Sequence, residues 1–251
     1  MRVFFILLLK ELRSYFTSFI AYVVMALVML LNGLTFSYAL SKLRETSSRW
    51  SLIHWSFNGI GFWLVFILII PLITMRLFAE EQKLGTLEPL LTAPVRTSQV
   101  VLAKYFSALL FYMIVYLPCM LNFLIFEWIS GESAGFNQAA FFGSYTLLLL
   151  MGMMFIGVGC LASALTENQI IAAIISFTVL VIYFLLGFVN MVGYNLPEMT
   201  VQFLSYLSSI EHMRVFCSGE FDIRPIILYL SVAGLMVVLT YHVLEYRKWK
   251  I

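Results

Sequence analysis

The feature that most constrains this chain is a series of six apolar segments, each about as long as a membrane is thick. They lie at about residues 18–40, 58–77, 101–127, 139–164, 169–190 and 225–245. A helix of about 20 apolar residues crosses the roughly 30 Å of hydrocarbon in a bilayer. Backbone polar groups in lipid must pair internally, as they do in a helix, and these runs lack the alternation of barrel strands. The sequence therefore predicts an all-α membrane protein in which residues 1–251 form one domain with six transmembrane helices.

Composition favours the same class and disfavours several functions. Charged residues make up 11% of the chain, against roughly 25% in soluble domains. Cys119, Cys160 and Cys217 lack the spacing of a metal or disulfide motif. No Gly-Lys pair occurs in the sequence, so no P-loop binds nucleotide, and no basic tract suits nucleic acid. We expect no catalytic site, no metal, no cofactor and no nucleic-acid partner.

The distribution of Lys and Arg predicts the orientation of the spans. Six spans place both termini on one side. The terminal segments and even-numbered loops hold ten cations, and the odd-numbered loops hold five. Because cytoplasmic loops carry an excess of Lys and Arg, both termini are predicted to be cytoplasmic. The loop at 41–57 goes against this rule, since it carries Lys42, Arg44 and Arg49.

Residues 1–16 have the pattern of an amphipathic helix that lies in the headgroup plane. On a helical wheel one arc is apolar and comprises Phe4, Phe5, Leu8, Leu9, Leu12, Tyr15 and Phe16. The opposite arc is polar and comprises Arg2, Lys10, Glu11 and Arg13. The alternative is a cytoplasmic extension of the first span.

The loop at 78–98 concentrates charge and turn residues. Glu80 and Glu81 belong to a helix that ends at Gly85. They either end a solvated helix, contact a partner or form salt bridges that shape the loop. Thr86 is a suitable N-cap for a short second helix, which tolerates Pro89 in its first turn and ends before Pro94. An exposed apolar stripe on this helix would need a partner surface or the membrane interface, and it comprises Leu87, Leu90 and Leu91.

The segment 191–224 is too polar to span a membrane and too apolar to be a free loop. Phe203, Leu207, Ile210 and Met213 recur at helical spacing. We expect it to be extracytoplasmic, and either to dip into the outer leaflet or to pack on the ends of the spans. Cys217 lies in it, so we expect this thiol to react with an impermeant maleimide from outside.

The loop also resembles that of a known family. The residues that carry the resemblance are Phe78-Ala79-Glu80-Glu81, Gly85-Thr86-Leu87-Glu88 and Leu90-Leu91-Thr92-Ala93-Pro94-Val95. They are similar to the loop between the second and third spans of ABC-2-type transporter permeases. The nearest likeness is to the bacterial permeases associated with gliding motility and with nitrous-oxide-reductase maturation. Pro89 departs from the apolar residue that is more usual at that point, which leaves the start of the short helix open.

The resemblance implies a fold and a mechanism. The fold is the ABC-2, type V exporter-like transmembrane domain, which lies in the bacterial inner membrane and pairs with a second copy or a paralogue. Each half binds a separate cytoplasmic ATPase, which holds the ATP. The helix at about 86–93 would be the coupling helix, and the helix at 1–16 would also touch the ATPase through Lys10, Glu11 and Arg13. The residues implied for ATPase coupling are Glu80, Glu81, Gly85, Thr86, Leu87, Glu88, Pro89, Leu90, Leu91, Thr92 and Pro94.

Three classes of function remain open at this point. The first is the permease subunit of an ABC exporter, with an ATPase, a second permease chain and membrane lipids as partners. The second is a membrane subunit that transmits ATPase motion to periplasmic machinery, with a periplasmic accessory protein as partner. The third is an ATP-independent channel or carrier. The centres of all six predicted spans lack Asp, Glu, Lys, Arg and His, which disfavours the third class because gradient-coupled carriers use such residues.

Overall fold

A computed structural model describes residues 2–45, 51–92, 95–130, 137–192 and 197–248 of the chain. Within these residues all regular structure is helical, with no strand. The helices are α1 Arg2–Thr17, α2 Phe19–Glu45, α3 Leu52–Asn58, α4 Ile60–Thr74, α5 Ala79–Lys83, α6 Leu87–Thr92, α7 Thr97–Ser130, α8 Gln138–Leu165, α9 Gln169–Val192, α10 Glu198–Leu207, α11 Ser209–Cys217 and α12 Ile223–Lys248.

Among the described residues, six helical stretches are long and apolar enough to cross a membrane. They are Phe19–Leu43, Ile60–Lys83, Thr97–Ile129, Gln138–Leu165, Gln169–Phe188 and Ile223–Lys248. The predicted all-α fold with six transmembrane helices is thereby confirmed. Successive spans run in opposite directions, so the short helices collect at two ends of the bundle. The α1 end carries α1, α5 and α6, and the α3 end carries α3, α10 and α11.

The centre of the bundle consists of α4 and α8, which are mostly buried, whereas α2, α9 and α12 are mostly exposed. Aromatic rings fill the centre. The ring centroids of Phe66 in α4 and Phe155 in α8 are 5.7 Å apart, and the ring of Phe155 stacks on that of Phe184 in α9. Two glycines allow α8 to approach its neighbours closely. A side chain at Gly159 would overlap Thr74, and one at Gly152 would overlap the ring of Tyr112. Close packing of this kind holds helices together where lipid offers no hydrophobic driving force.

The N-terminal helix α1 is separate from the first span, because the helical structure is interrupted at Ser18, between α1 and α2. Most of its contacts are with α7. Within the predicted apolar arc, Phe5 and Leu9 are exposed, whereas Leu12, Tyr15 and Phe16 pack against the core. Glu11 of the predicted polar arc faces the protein. The reason is that α1 docks on α7 along a face that contains an acidic residue, and that residue meets a lysine of α7.

At the α3 end, the segment after α9 forms two short helices that do not cross the bundle. With ten and nine residues, α10 and α11 are too short to span. Of the two, α11 packs against α8 and α3, whereas α10 has no buried residue. The expectation that Cys217 is reactive is wrong. Its side chain is 2% exposed, its thiol lies 3.3 Å from the hydroxyl of Ser144, and burial raises its pKa to about 12.

Candidate functional site

The candidate site is built around α5, the five-residue helix that follows α4 at the α1 end. Its first turn is capped by a side chain from another span. The backbone N–H groups of Phe78 and Ala79 donate to Ser163 Oγ of α8, at 3.0 and 3.1 Å. The same hydroxyl donates to the carbonyl of Met75 at 3.2 Å. Since these N–H groups have no partner within α5, the serine both stabilises the helix start and fixes α5 to α8.

Glu81 of α5 takes part in a buried ionic cluster with α1 and α7. Lys104 Nζ lies 3.0 Å from a carboxylate oxygen of Glu81 and 3.0 Å from one of Glu11. The Lys104 side chain is 2% exposed. Lys10 lies at the rim of the cluster, 3.5 Å from Glu11 and 3.8 Å from Glu81. A buried ammonium is costly unless it is paired, so Lys104 requires both α1 and α5 to stay in place.

Glu80 forms a second connection, to the break between α1 and α2. It accepts two hydrogen bonds from the guanidinium of Arg76, at 2.9 and 3.0 Å. Arg76 also donates to the hydroxyl of Ser18, the residue at the break. Beside it, the hydroxyl of Tyr15 donates to the carbonyl of Ile73 at 3.0 Å, and burial raises the pKa of this tyrosine. A two-point Arg–carboxylate pair fixes orientation as well as distance.

Gln82 supplies a third connection, to the ends of α8 and α12. Its amide nitrogen donates to the carbonyl of Ala164 at 3.0 Å, and its amide oxygen accepts from Arg247 at 2.9 Å. Through Glu81 and Gln82, α5 therefore binds four other helices, α1, α7, α8 and α12. This cluster, the α5 junction, comprises Glu11, Arg76, Glu80, Glu81, Gln82, Lys104 and Arg247.

Beyond the junction, the chain turns away from the bundle and exposes a short surface. Gly85 has a positive φ of 69°, which glycine adopts without strain and which ends α5. The exposed residues form the docking face, which comprises Leu84, Gly85, Thr86, Glu88 and Pro89. Leu84, with an exposed fraction of 67%, is its large apolar side chain.

The predicted coupling residues divide into several groups. Leu87 is 4% exposed and belongs to the core, so it does not form part of an exposed stripe. It anchors α6 to the bundle instead. Leu90 is half-buried. Pro94 lies outside the described residues, as do the side chains of Leu91 and Thr92.

Of the residues predicted on the N-terminal helix, Glu11 belongs to the α5 junction and Lys10 lies at its rim. Arg13 is exposed. Three interpretations of Glu80 and Glu81 were open, and the structure shows the salt bridges of one of them. Both glutamates are bound to cations of the same chain.

Sequence reasoning missed Lys104, Arg76, Gln82 and Arg247 as site residues, and Leu84 as a contact residue. In the sequence, Lys104 served only as one of the cations that predict the orientation of the spans. The position of Lys104 nevertheless indicated a site. A lysine in the first turns of a long apolar helix needs a carboxylate partner, and the chain offers few carboxylates at that end. Among the described residues, no group of three or more His, Cys, Asp and Glu could hold a metal ion.

The α5 junction connects helices through ion pairs and hydrogen bonds. Its charges are balanced by one another, and its groups hold helices at fixed distances. A force applied to α5 would reach α1 and α7 through Lys104, and α8 and α12 through Gln82. The arrangement is suited to transmit a displacement from the docking face to the spans.

Comparison with known proteins identifies a family that matches this chain. The family described as "ABC-2 family transporter protein" matches residues 9–187. This match covers the first four spans, the fifth span as far as residue 187, and every residue of the α5 junction except Arg247. The chain matches no curated protein.

Removing the buried cation tests the α5 junction. Lys104→Met would leave two carboxylates facing each other near Lys10 alone, and losing one partner of a buried ion pair costs about 3 kcal/mol. We expect a lower thermal transition in detergent and faster hydrogen exchange of α1 peptides. Lys83→Met, at the exposed end of α5, is the matched control and should change neither. Unaltered exchange of α1 in Lys104→Met would show that the cluster does not hold this helix.

Proposed function

The chain belongs to the ABC-2 transporter family and is thus the membrane permease subunit of an ABC transporter; on that premise we propose that it is an exporter half driven by a separate ATPase at the docking face. The observation that carries the proposal is the α5 junction. It binds the loop after the second span to α1, α7, α8 and α12, and leaves the docking face exposed beyond it.

The docking face supports an ATPase as the partner. It is exposed, it combines Leu84 with polar residues, and its base is fixed by Leu87 in the core. A loop with a buried anchor loses little entropy on binding, which favours transmission of force over mere attachment. The sequence contains no Gly-Lys pair and so no P-loop, which is consistent with ATP being held by the partner.

The lipid-exposed helices support pairing with a second permease chain. α2, α9 and α12 each present an apolar face with large side chains outward, such as Leu30, Leu185 and Leu235. A second copy or a paralogue would cover part of one face, and membrane lipids would cover the rest. Opening and closing between two such halves is the form of movement that the α5 junction would drive.

A second candidate function is transmission of ATPase motion to extracytoplasmic machinery without solute transport. The observation that favours it is α10, which has no buried residue and exposes Met199, Phe203 and Tyr206 on successive turns. A periplasmic accessory protein would contact this helix. A reconstituted complex that hydrolyses ATP but moves no solute would favour this function over export.

Substitutions in the docking face test the site of the ATPase. Leu84→Asp would place a charge in a packed contact, and we expect co-purified ATPase to fall about tenfold or more. Leu90→Asp should also reduce it. Leu165→Asp, at an exposed leucine of the same end of the bundle, is the control and should retain the ATPase. Normal recovery of the ATPase with both Leu84→Asp and Leu90→Asp would place the ATPase elsewhere.

Cysteine labelling tests the proposed orientation. The native cysteines are all buried, which provides a silent background. Met199→Cys at the α3 end should react with an impermeant maleimide added to spheroplasts. Leu84→Cys at the α1 end should react after the membrane is opened. Labelling of Leu84→Cys from outside would reverse the topology.

A further inference from the structure

A large groove lies at the α3 end of the bundle, far from the α5 junction. Its volume is about 780 Å³, within the range of small-molecule sites, and its walls are mainly apolar. The lining residues include Leu31, Leu34 and Tyr38 of α2, His54 of α3, and Leu64 and Leu68 of α4. We propose that this groove binds an anionic membrane lipid of the outer leaflet, with an acyl chain along the groove and the headgroup beside Lys42.

The groove has the depth of one leaflet. On α4 it extends from Ile60 to Leu68, which is about 12 Å at 1.5 Å per residue. Half of a bilayer core is about 15 Å thick. The groove therefore begins near the membrane surface at the α3 end and reaches close to the middle of the membrane. An acyl chain of the adjacent leaflet has this length and this position.

The walls of the groove are open to lipid. Leu34, Tyr38 and Leu64 line it and are each more than half exposed. Its inner wall is closed, because α2 and α4 touch where a side chain at Gly61 would overlap Thr35. A chain from the surrounding bilayer can thus enter sideways without a movement of the helices.

A lysine lies at the mouth of the groove. Lys42 lies one turn beyond Tyr38, with its ammonium 5.8 Å from the centre of that ring. Such a cation attracts an anionic headgroup, and the chain beneath it meets apolar walls.

An anionic lipid would also explain a charge that the topology does not. The loop at 41–57 carries three cations on the side where the distribution of Lys and Arg predicts few. An anionic headgroup beside Lys42 would account for a cation on this side of the membrane. The inference rests on the proposed orientation in this respect, but not on the ATPase or on transport, because binding needs the permease alone.

Photolabelling of the purified full-length chain in neutral phosphatidylcholine nanodiscs tests this site. The probes are a diazirine-bearing palmitic acid in its ionised form and its uncharged methyl ester. We expect the acid to label α2 and α4 peptides saturably. Lys42→Gln should reduce that labelling about fivefold and leave labelling by the ester unchanged. Leu64→Trp should fill the groove and reduce labelling by both probes.

The matched control is Ile227→Trp on α12. It adds the same bulk at the same depth, at a residue 61% exposed against 63% for Leu64, and it should leave labelling of the groove unchanged. Equal, unsaturable labelling of α2, α9 and α12 in every variant would overturn the proposal in favour of ordinary boundary lipid. Absence of labelling, with two copies cross-linked through α2 and α4, would overturn it in favour of a dimer contact. Neither result depends on the ATPase.

Discussion

The structure depends on one buried ion cluster, in which the ammonium of Lys104 lies between the carboxylates of Glu11 and Glu81. These residues come from α7, α1 and α5, which are remote in sequence. A buried cation cannot lose its partners without a large cost in free energy. The three helices are therefore held as a unit at the α1 end. The directional pairs of Arg76 with Glu80 and of Gln82 with Arg247 extend this unit to the break before α2 and to α12.

This arrangement explains how a short loop can affect the whole bundle. α5 continues directly from α4, one of the two central helices, and is capped by Ser163 of α8, the other. Aromatic packing and the glycine contacts of α8 make that centre stiff. A displacement of the docking face would be carried through α5 into the centre and to α1 at the same time. At the opposite end, the proposed lipid groove between α2 and α4 lies on the same central helix, so lipid occupancy and movement of α4 would be linked.

Much of the fold could be predicted from the sequence, because the length of each apolar run decides whether a helix can span the membrane. The end of α5 at Gly85 was also predictable, since a positive φ favours glycine. What could not be predicted was which face of each helix docks. Helical periodicity placed Glu11 opposite the apolar arc, yet the contact with Lys104 turned it inward. Leu87 had the spacing of an exposed stripe, and only the tertiary structure shows it anchored in the core. The buried state of Cys217 likewise depends on packing against α8.

The most direct test of the account measures hydrogen exchange of α1 in the permease–ATPase complex, with and without ATP. Glu81→Gln removes the charge that connects α5 to the cluster and leaves the pair of Lys104 with Glu11 intact. The account predicts an ATP-dependent change in α1 exchange in the native complex. It predicts that this change is lost in Glu81→Gln although the ATPase stays bound. The same ATP-dependent change in Glu81→Gln, or none in the native complex, would contradict the claim that the α5 junction transmits the motion.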